Sequence, residues 1–143
     1  MRRLVSFIIF LIISSCGLMK IDQQKAQVLV ESLLNDLKNE NYSSLDKYYT
    51  SSFNESEPNI KKTEKFKRLK GTMGAMKSFE LISSKESKDS DKDTNQLELT
   101  YKVTCERVVV KETYLVINDE GDLKIIFQNI ENLKWSLKKK LLW

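Results

Sequence analysis

Histidine is absent from the 143 residues. Without it the chain has no Ser–His or Cys–His nucleophile pair, no imidazole acid–base chemistry and none of the usual zinc ligand sets. Neither a metal nor a cofactor is expected. Proline occurs once and glycine four times, so no long flexible linker is visible. Gly71 and Gly74 lack the strand–loop–helix context of a phosphate cradle and read as helix-end residues. Cysteine occurs only at Cys16 and Cys105, too few for a disulfide framework. Long apolar runs are also missing, apart from Leu4 to Ile13 with Ser6 inside it.

That run follows Arg2 and Arg3 and precedes Ser14 and Ser15. A positive start, an apolar middle and small residues at the end form the pattern of a secretory signal. As a helix the ten residues would reach only ~15 Å, half of a ~30 Å hydrocarbon core. A spanning helix is the weaker reading.

Ile13-Ser14-Ser15-Cys16 resembles the lipobox of bacterial lipoprotein precursors, with Ile13 and Ser15 as variants of the usual Leu and Gly or Ala. The resemblance implies cleavage between Ser15 and Cys16 and a diacylglycerol thioether on Cys16, with the new amine often acylated as well. Two or three acyl chains anchor stably where one does not. It further implies a lipid-anchored protein of the bacterial cell envelope. Gly17 beside the cysteine points to the outer membrane, periplasmic side, where a cell has two membranes. The alternative is an ordinary signal peptide with an incidental cysteine.

Removing residues 1–15 leaves 128, enough for one domain with a real core. Lysine plus arginine falls from 24 to 22 against 20 acidic residues, so the net charge is near +2. No nucleic-acid partner is expected from that balance. Residues 16–21 form a short tether. Cys105 lies on an alternating strand, and a buried inert thiol is favoured over a reactive one.

Asp22 is a candidate N-cap for a helix carrying Ala26, Leu29, Val30, Leu33, Leu34 and Leu37 on one face and ending near Asn39 to Asn41. Ser43 or Ser44 caps a short second helix through Leu45, Tyr48 and Tyr49. Thr50 to Glu57 reads as polar turn, with Phe53 turned inward. Pro58 suits a first helical position, opening a third helix with Ile60, Phe66 and Leu69 inward and an end near Gly71 to Gly74. The basic run Lys61, Lys62, Lys65, Lys67, Arg68 and Lys70 could face headgroups or nucleic acid, but a solvated helix face is favoured.

From Lys77 the period shortens to two, with Phe79 and Leu81 on one side. Lys85 to Asn95 reads as an exposed hairpin loop. Leu97, Leu99, Tyr101, Val103 and Cys105 mark the clearest strand. Val108 to Ile117 suits a central strand, Asn118 to Gly121 a turn, and Leu123 to Ile130 a last strand. Helices followed by strands predict an α+β fold: N-terminal helices packed on a curved antiparallel sheet, cone-like, after a cleaved signal peptide.

The order of elements, with Asn41-Tyr42 after the first helix, Gly74-Ala75-Met76-Lys77-Ser78 entering the sheet, Glu112-Thr113 in the penultimate strand and Gly121 to Ile125 opening the last, is similar to the nuclear transport factor two-like superfamily, and within it to small bacterial domains. Leu123 stands where the pattern has Trp. The likeness covers residues 22–131. It implies a bent sheet wrapped round the first helix, with a pocket at the open end. That fold hosts isomerases, dehydratases, binders and scaffolds alike, so fold does not choose function.

Tyr101, Glu112 and Tyr114 are the candidates for pocket lining by strand position. Glu112 could act as a general base if buried; otherwise it is solvent-facing or structurally paired. No catalytic set can be assigned. Residues 132–143 form a basic amphipathic tail beyond the family pattern. Leu133, Leu137 and Leu141 share a helical stripe, although Leu133, Trp135 and Leu137 would also alternate in a continuing strand. Trp135, Lys138, Lys139, Lys140 and Trp143 are candidate membrane contacts, and the alternative is a segment that covers the sheet or pocket. The expected function is non-catalytic: an envelope lipoprotein binding a protein or a small hydrophobic ligand. An isomerase or lyase with its site in the cone, and a purely structural assembly protein, are the rivals.

Overall fold

Five apolar side chains, Ala26, Val30, Leu33, Leu34 and Leu37, recur at helical spacing and are buried on one face of α1 (Gln23–Lys38). Asp22 caps this helix by accepting from the Lys25 amide at 3.1 Å. The computed structural model describes residues 20–133. The proposed signal, Ser15 and Cys16 lie outside the described residues, as do Trp135, Lys138, Lys139, Lys140 and Trp143. Ile21, counted in the tether, is buried in the core.

A 3-10 helix (Leu45–Tyr48) follows, with Ser44 at its start but no side-chain cap. Thr50 to Glu57 is not irregular turn. Ser51–Ser56 forms α2, a helix of six residues with Thr50 accepting from the Phe53 amide. So short a helix has no apolar stripe to announce it. Pro58 sits at the N-cap of α3 (Asn59–Met73) rather than inside it. Two expectations for α3 are overturned. Ile60 is 69% exposed, whereas Lys62, assigned to the solvated face, is 0% exposed. Only Phe66 and Lys62 of this helix are buried. Gly74 ends it at φ +81°, a conformation that glycine takes without strain.

Four antiparallel strands follow in meander order: β1 (Met76–Asp89), β2 (Thr94–Cys105), β3 (Val109–Asp119) and β4 (Asp122–Asn132). The segment read as a loop, Lys85 to Asn95, is mostly strand. Pairing runs from Lys85↔Glu98 out to Asp89↔Thr94, and only residues 90–93 turn. Glu120 (φ +53°) and Gly121 (φ +98°) make the two-residue turn between β3 and β4. β4 runs beyond the expected Ile130 to Asn132, and Leu133 has left the strand.

Register shifts between Leu81 and Ser83 and between Leu115 and Val116 mark bulges that bend the sheet. The result is a cone-like α+β fold. The inner face carries rows such as Leu97, Val116 and Ile125, and Tyr101, Glu112 and Ile130. α1 fills the concavity, and its apolar face joins these rows in one core. The Tyr49–Thr50 segment docks on β4 through a parallel bridge from Tyr49 to Ile125. No helix of the described residues is long and apolar enough to cross a membrane.

Candidate functional site

Alternation along β3 turns Val110, Glu112, Tyr114 and Val116 to the inner face, so Glu112 is delivered into the core by strand parity alone. It is 3% exposed. Its Oε2 accepts from the Tyr114 hydroxyl, two residues on along the same face. Gln128, opposite Tyr114 on β4, donates its Nε2 to the same oxygen at 3.4 Å and to the Tyr114 hydroxyl at 3.3 Å. The Tyr49 hydroxyl in turn donates to Gln128 Oε1 at 2.7 Å. Gln128 and Tyr49 were not foreseen as site residues. Tyr49 meets Gln128 across 79 positions of sequence, and no local pattern encodes that contact.

Burial pushes the Glu112 carboxyl above the usual carboxylate range, opposed by the Tyr114 and Gln128 hydrogen bonds and by the Lys65 ammonium. Burial, with the Glu112 charge next, likewise raises the Tyr114 and Tyr49 hydroxyls well above their ordinary value. Among the described residues Glu112 Oε1 takes no hydrogen bond. No fully enclosed side-chain nitrogen or oxygen among those residues lacks a partner. Glu112 also lines a cleft.

The cleft lies between the end of α1 (Leu37, Lys38), the second half of α3 (Phe66, Leu69, Met73) and the sheet (Met76, Cys105, Ile130), with Glu112 in its wall. Its volume is about 50 Å³, room for a few waters. A drug-sized ligand needs roughly 300 Å³ or more. The walls are apolar, and two methionines, whose side chains repack easily, line the mouth. Lys70 and Glu40 pair across the rim. Cys105 lies in the wall, its thiol raised by burial and then by Glu112 and Glu106, the environment of an unreactive cysteine.

Of the three candidates for pocket lining, Glu112 alone lines this cleft. Tyr101 and Tyr114 are fully buried behind it, their rings edge to face at a centroid distance of 6.1 Å. The Tyr101 hydroxyl reaches Glu31 on α1 at 3.5 Å, and burial raises its pKa. Among the described residues no group of acidic or cysteine side chains is arranged to hold a metal.

The basic run divides. Lys62 is a buried staple: its ammonium donates to Asp46 Oδ1 at 2.6 Å, to Asn54 Oδ1 at 2.7 Å and to the Glu57 carbonyl, and lies 5.1 Å from the Tyr49 ring centroid. Lys65 pairs with Glu57 at 2.5 Å and Lys70 with Glu40. Lys61, Lys67 and Arg68 are exposed.

No protein-family model matches the chain, and no curated protein matches it. Among solved structures the chain is similar to Aln2 from a Streptomyces species, with a TM-score of 0.56 at 6% identity over 85% of this chain and 99% of that one. At that identity the likeness shows a shared small α+β fold and nothing about ligand or reaction.

Proposed function

We propose that the domain is a non-catalytic binding module of the nuclear transport factor two-like type, taking a small hydrophobic ligand with one oxygen function in the cleft at Glu112. One observation carries this: a buried carboxyl in the wall of an apolar cleft, its Oε2 held by two donors. A proton taken up by Glu112 turns its carboxyl into a hydrogen-bond donor. The neutral carboxyl then donates to a carbonyl or hydroxyl oxygen, and an apolar body displaces Met73 and Met76. Catalysis is the weaker reading. Among the described residues the ionisable groups lining the cleft besides Glu112 are Lys38, Glu40, Tyr42, Lys70 and the buried Cys105 thiol, and Lys70 and Glu40 are paired with each other.

The test is thermal unfolding with decan-2-one, decan-1-ol and decane as probes. A ligand at a hundred times its Kd stabilises the folded state by about 2.7 kcal/mol. The ketone and alcohol should raise the melting temperature of the wild type more than decane does, and Glu112→Ala should abolish the difference. Equal response to all three, or none, refutes the proposal.

We further propose that this module is carried on the bacterial envelope by lipid on Cys16. The support is the sequence pattern of residues 2–16. Intact mass and membrane partitioning, beside Cys16→Ser, test it. An uncleaved, unmodified chain that partitions identically in both forms rules it out.

A further inference from the structure

The cleft at Glu112 holds about 50 Å³, too little for a ligand the size of decan-2-one. One wall must move if such a ligand is to fill it. The sheet wall, Met76, Cys105, Glu112 and Ile130, is tied into the strand ladders. The α1 wall ends in Leu37, buried in the core. α3 is held differently along its length. Its first half is pinned by the buried Phe66 and by Lys62 with its three acceptors. Asn59, at its start, bonds the Leu45 amide and the Tyr42 carbonyl. Beyond Phe66 no residue of the helix is buried, and Leu69 and Met73 are only half-buried.

What fastens that second half is polar and lies at the surface. Arg107, in the β2–β3 turn, donates from Nη1 to the Gly71 carbonyl at 2.7 Å and to the Thr72 carbonyl at 3.3 Å. The Arg107 amide donates to the Met73 carbonyl at 3.0 Å. These are carbonyls of the last helical turn, which has no further amides of its own to bond them. The Glu106 amide donates to the Ala75 carbonyl at 3.0 Å, and Glu106 Oε2 accepts from the Ala75 amide at 3.1 Å. Glu106 therefore holds the chain just after Gly74, and Arg107 holds it just before. Gly74 itself, at φ +81°, has no side chain to restrict its rotation. The exposed Lys70–Glu40 pair adds a weaker tie across the rim. A segment with few buried apolar contacts and solvent-exposed hydrogen bonds opens at the low end of a protein's range of local stability.

We propose that the last turn of α3, residues 69–73, is the movable wall of the cleft, bending away between Phe66 and Gly74 to admit the ligand, and that Arg107 is the latch that holds it shut. The proposal rests on the reading of the cleft as a ligand site, but the latch is testable without a ligand.

Amide hydrogen exchange on the full chain measures the latch first. The amides of residues 70–74 should exchange faster than those of β2 and β3, at a rate that urea below the unfolding transition leaves unchanged, as local opening requires. Arg107→Ala should speed them about tenfold, the equivalent of about 1.4 kcal/mol and within the net range of one hydrogen bond. Arg107→Lys, which keeps a donor, should speed them less, and serves alone if Arg107→Ala does not fold. Ile125→Val, at the other end of the sheet, should leave them unmoved while lowering global stability. Calorimetric titration with decan-2-one measures the consequence. The wall stays displaced while the ligand is bound, so Arg107→Ala should bind it about tenfold more tightly than the wild type. Exchange at residues 70–74 that Arg107→Ala leaves unchanged overturns the proposal, as does wild-type exchange there that follows global unfolding in urea. Equal decan-2-one affinity in the two forms overturns it as well, because the ligand would then enter without opening this wall. Faster exchange with no decan-2-one binding in either form upholds the latch and refutes the ligand reading alone.

Discussion

Replacing Lys62 by Met tests how the helical layer is held. The apolar stem is retained and the ammonium removed. Three acceptors lose their donor: Asp46 Oδ1, Asn54 Oδ1 and the Glu57 carbonyl. Truncating one partner of a buried ion pair costs about 3–5 kcal/mol. Two features put this case at the low end. The Asp46 side chain is 45% exposed and can rehydrate, and Asn54 keeps its own bond to the Asp46 carbonyl at 2.9 Å. About 3 kcal/mol is expected, read as a fall of between about 1 and 3 M in the urea midpoint with an unchanged slope. Lys65→Met is the internal control. Lys65 also pairs with an acidic residue, but its side chain is 37% exposed, and such pairs contribute about 0–1 kcal/mol. If the two variants differ by less than about 0.5 kcal/mol, the scatter of ordinary surface substitutions, burial of the Lys62 ammonium does not hold this layer together.

Glu112→Gln should change how stability depends on pH. Burial raises the folded-state pKa of Glu112 above the ordinary value, so its stabilising contribution is complete below the unfolded pKa of about 4.3 and is lost as pH rises through the folded value. The glutamine variant should therefore gain on the wild type from pH 4 to pH 8 by about 1.4 kcal/mol per unit of upward shift, and parallel urea-midpoint profiles would contradict this. The two glycines of the α3 end should respond with opposite sign. At Gly74, a Cβ would stand 2.6 Å from Glu106 Cβ at a φ of +81°, so Gly74→Ala should lose more than about 1 kcal/mol. Gly71 is helical with open space around it, so Gly71→Ala should gain about 0.5–1 kcal/mol; a loss at Gly71 in the same denaturation series would show a backbone approach the structure does not contain.

Much of the fold was legible because its signals are local. The spacing of Ala26, Val30, Leu33, Leu34 and Leu37 defines α1, and the alternation from Leu97 to Cys105 defines β2, since each element must bury one face. The far half of the β1–β2 hairpin was misread for the same reason. From Lys85 to Asn95 it buries no apolar face, and its strands are held by backbone pairing, which leaves no mark in side-chain pattern. Lys62 was misplaced because composition grouped it with its neighbours. Helical geometry puts it one turn before Phe66, the other buried residue of α3, and that spacing was the available signal.

The site was half legible. Parity with Val110, Tyr114 and Val116 turns Glu112 inward, but parity does not say whether an inward carboxyl is paired, solvated or open to a ligand. That depends on Gln128 and Tyr49, brought in by β4 and by the segment bridging to it. Fold stability alone gives little reason for a glutamate there. A leucine or methionine at the same point of β3 would pack between Tyr101 and Ile130 without desolvating a carboxyl, a cost of several kcal/mol for a buried charge that better packing could avoid. The network around Glu112 holds Oε2, and the same side chain lines an apolar cleft. The proposed recognition role rests on that position in the cleft wall, at the end of the sheet where β4 stops.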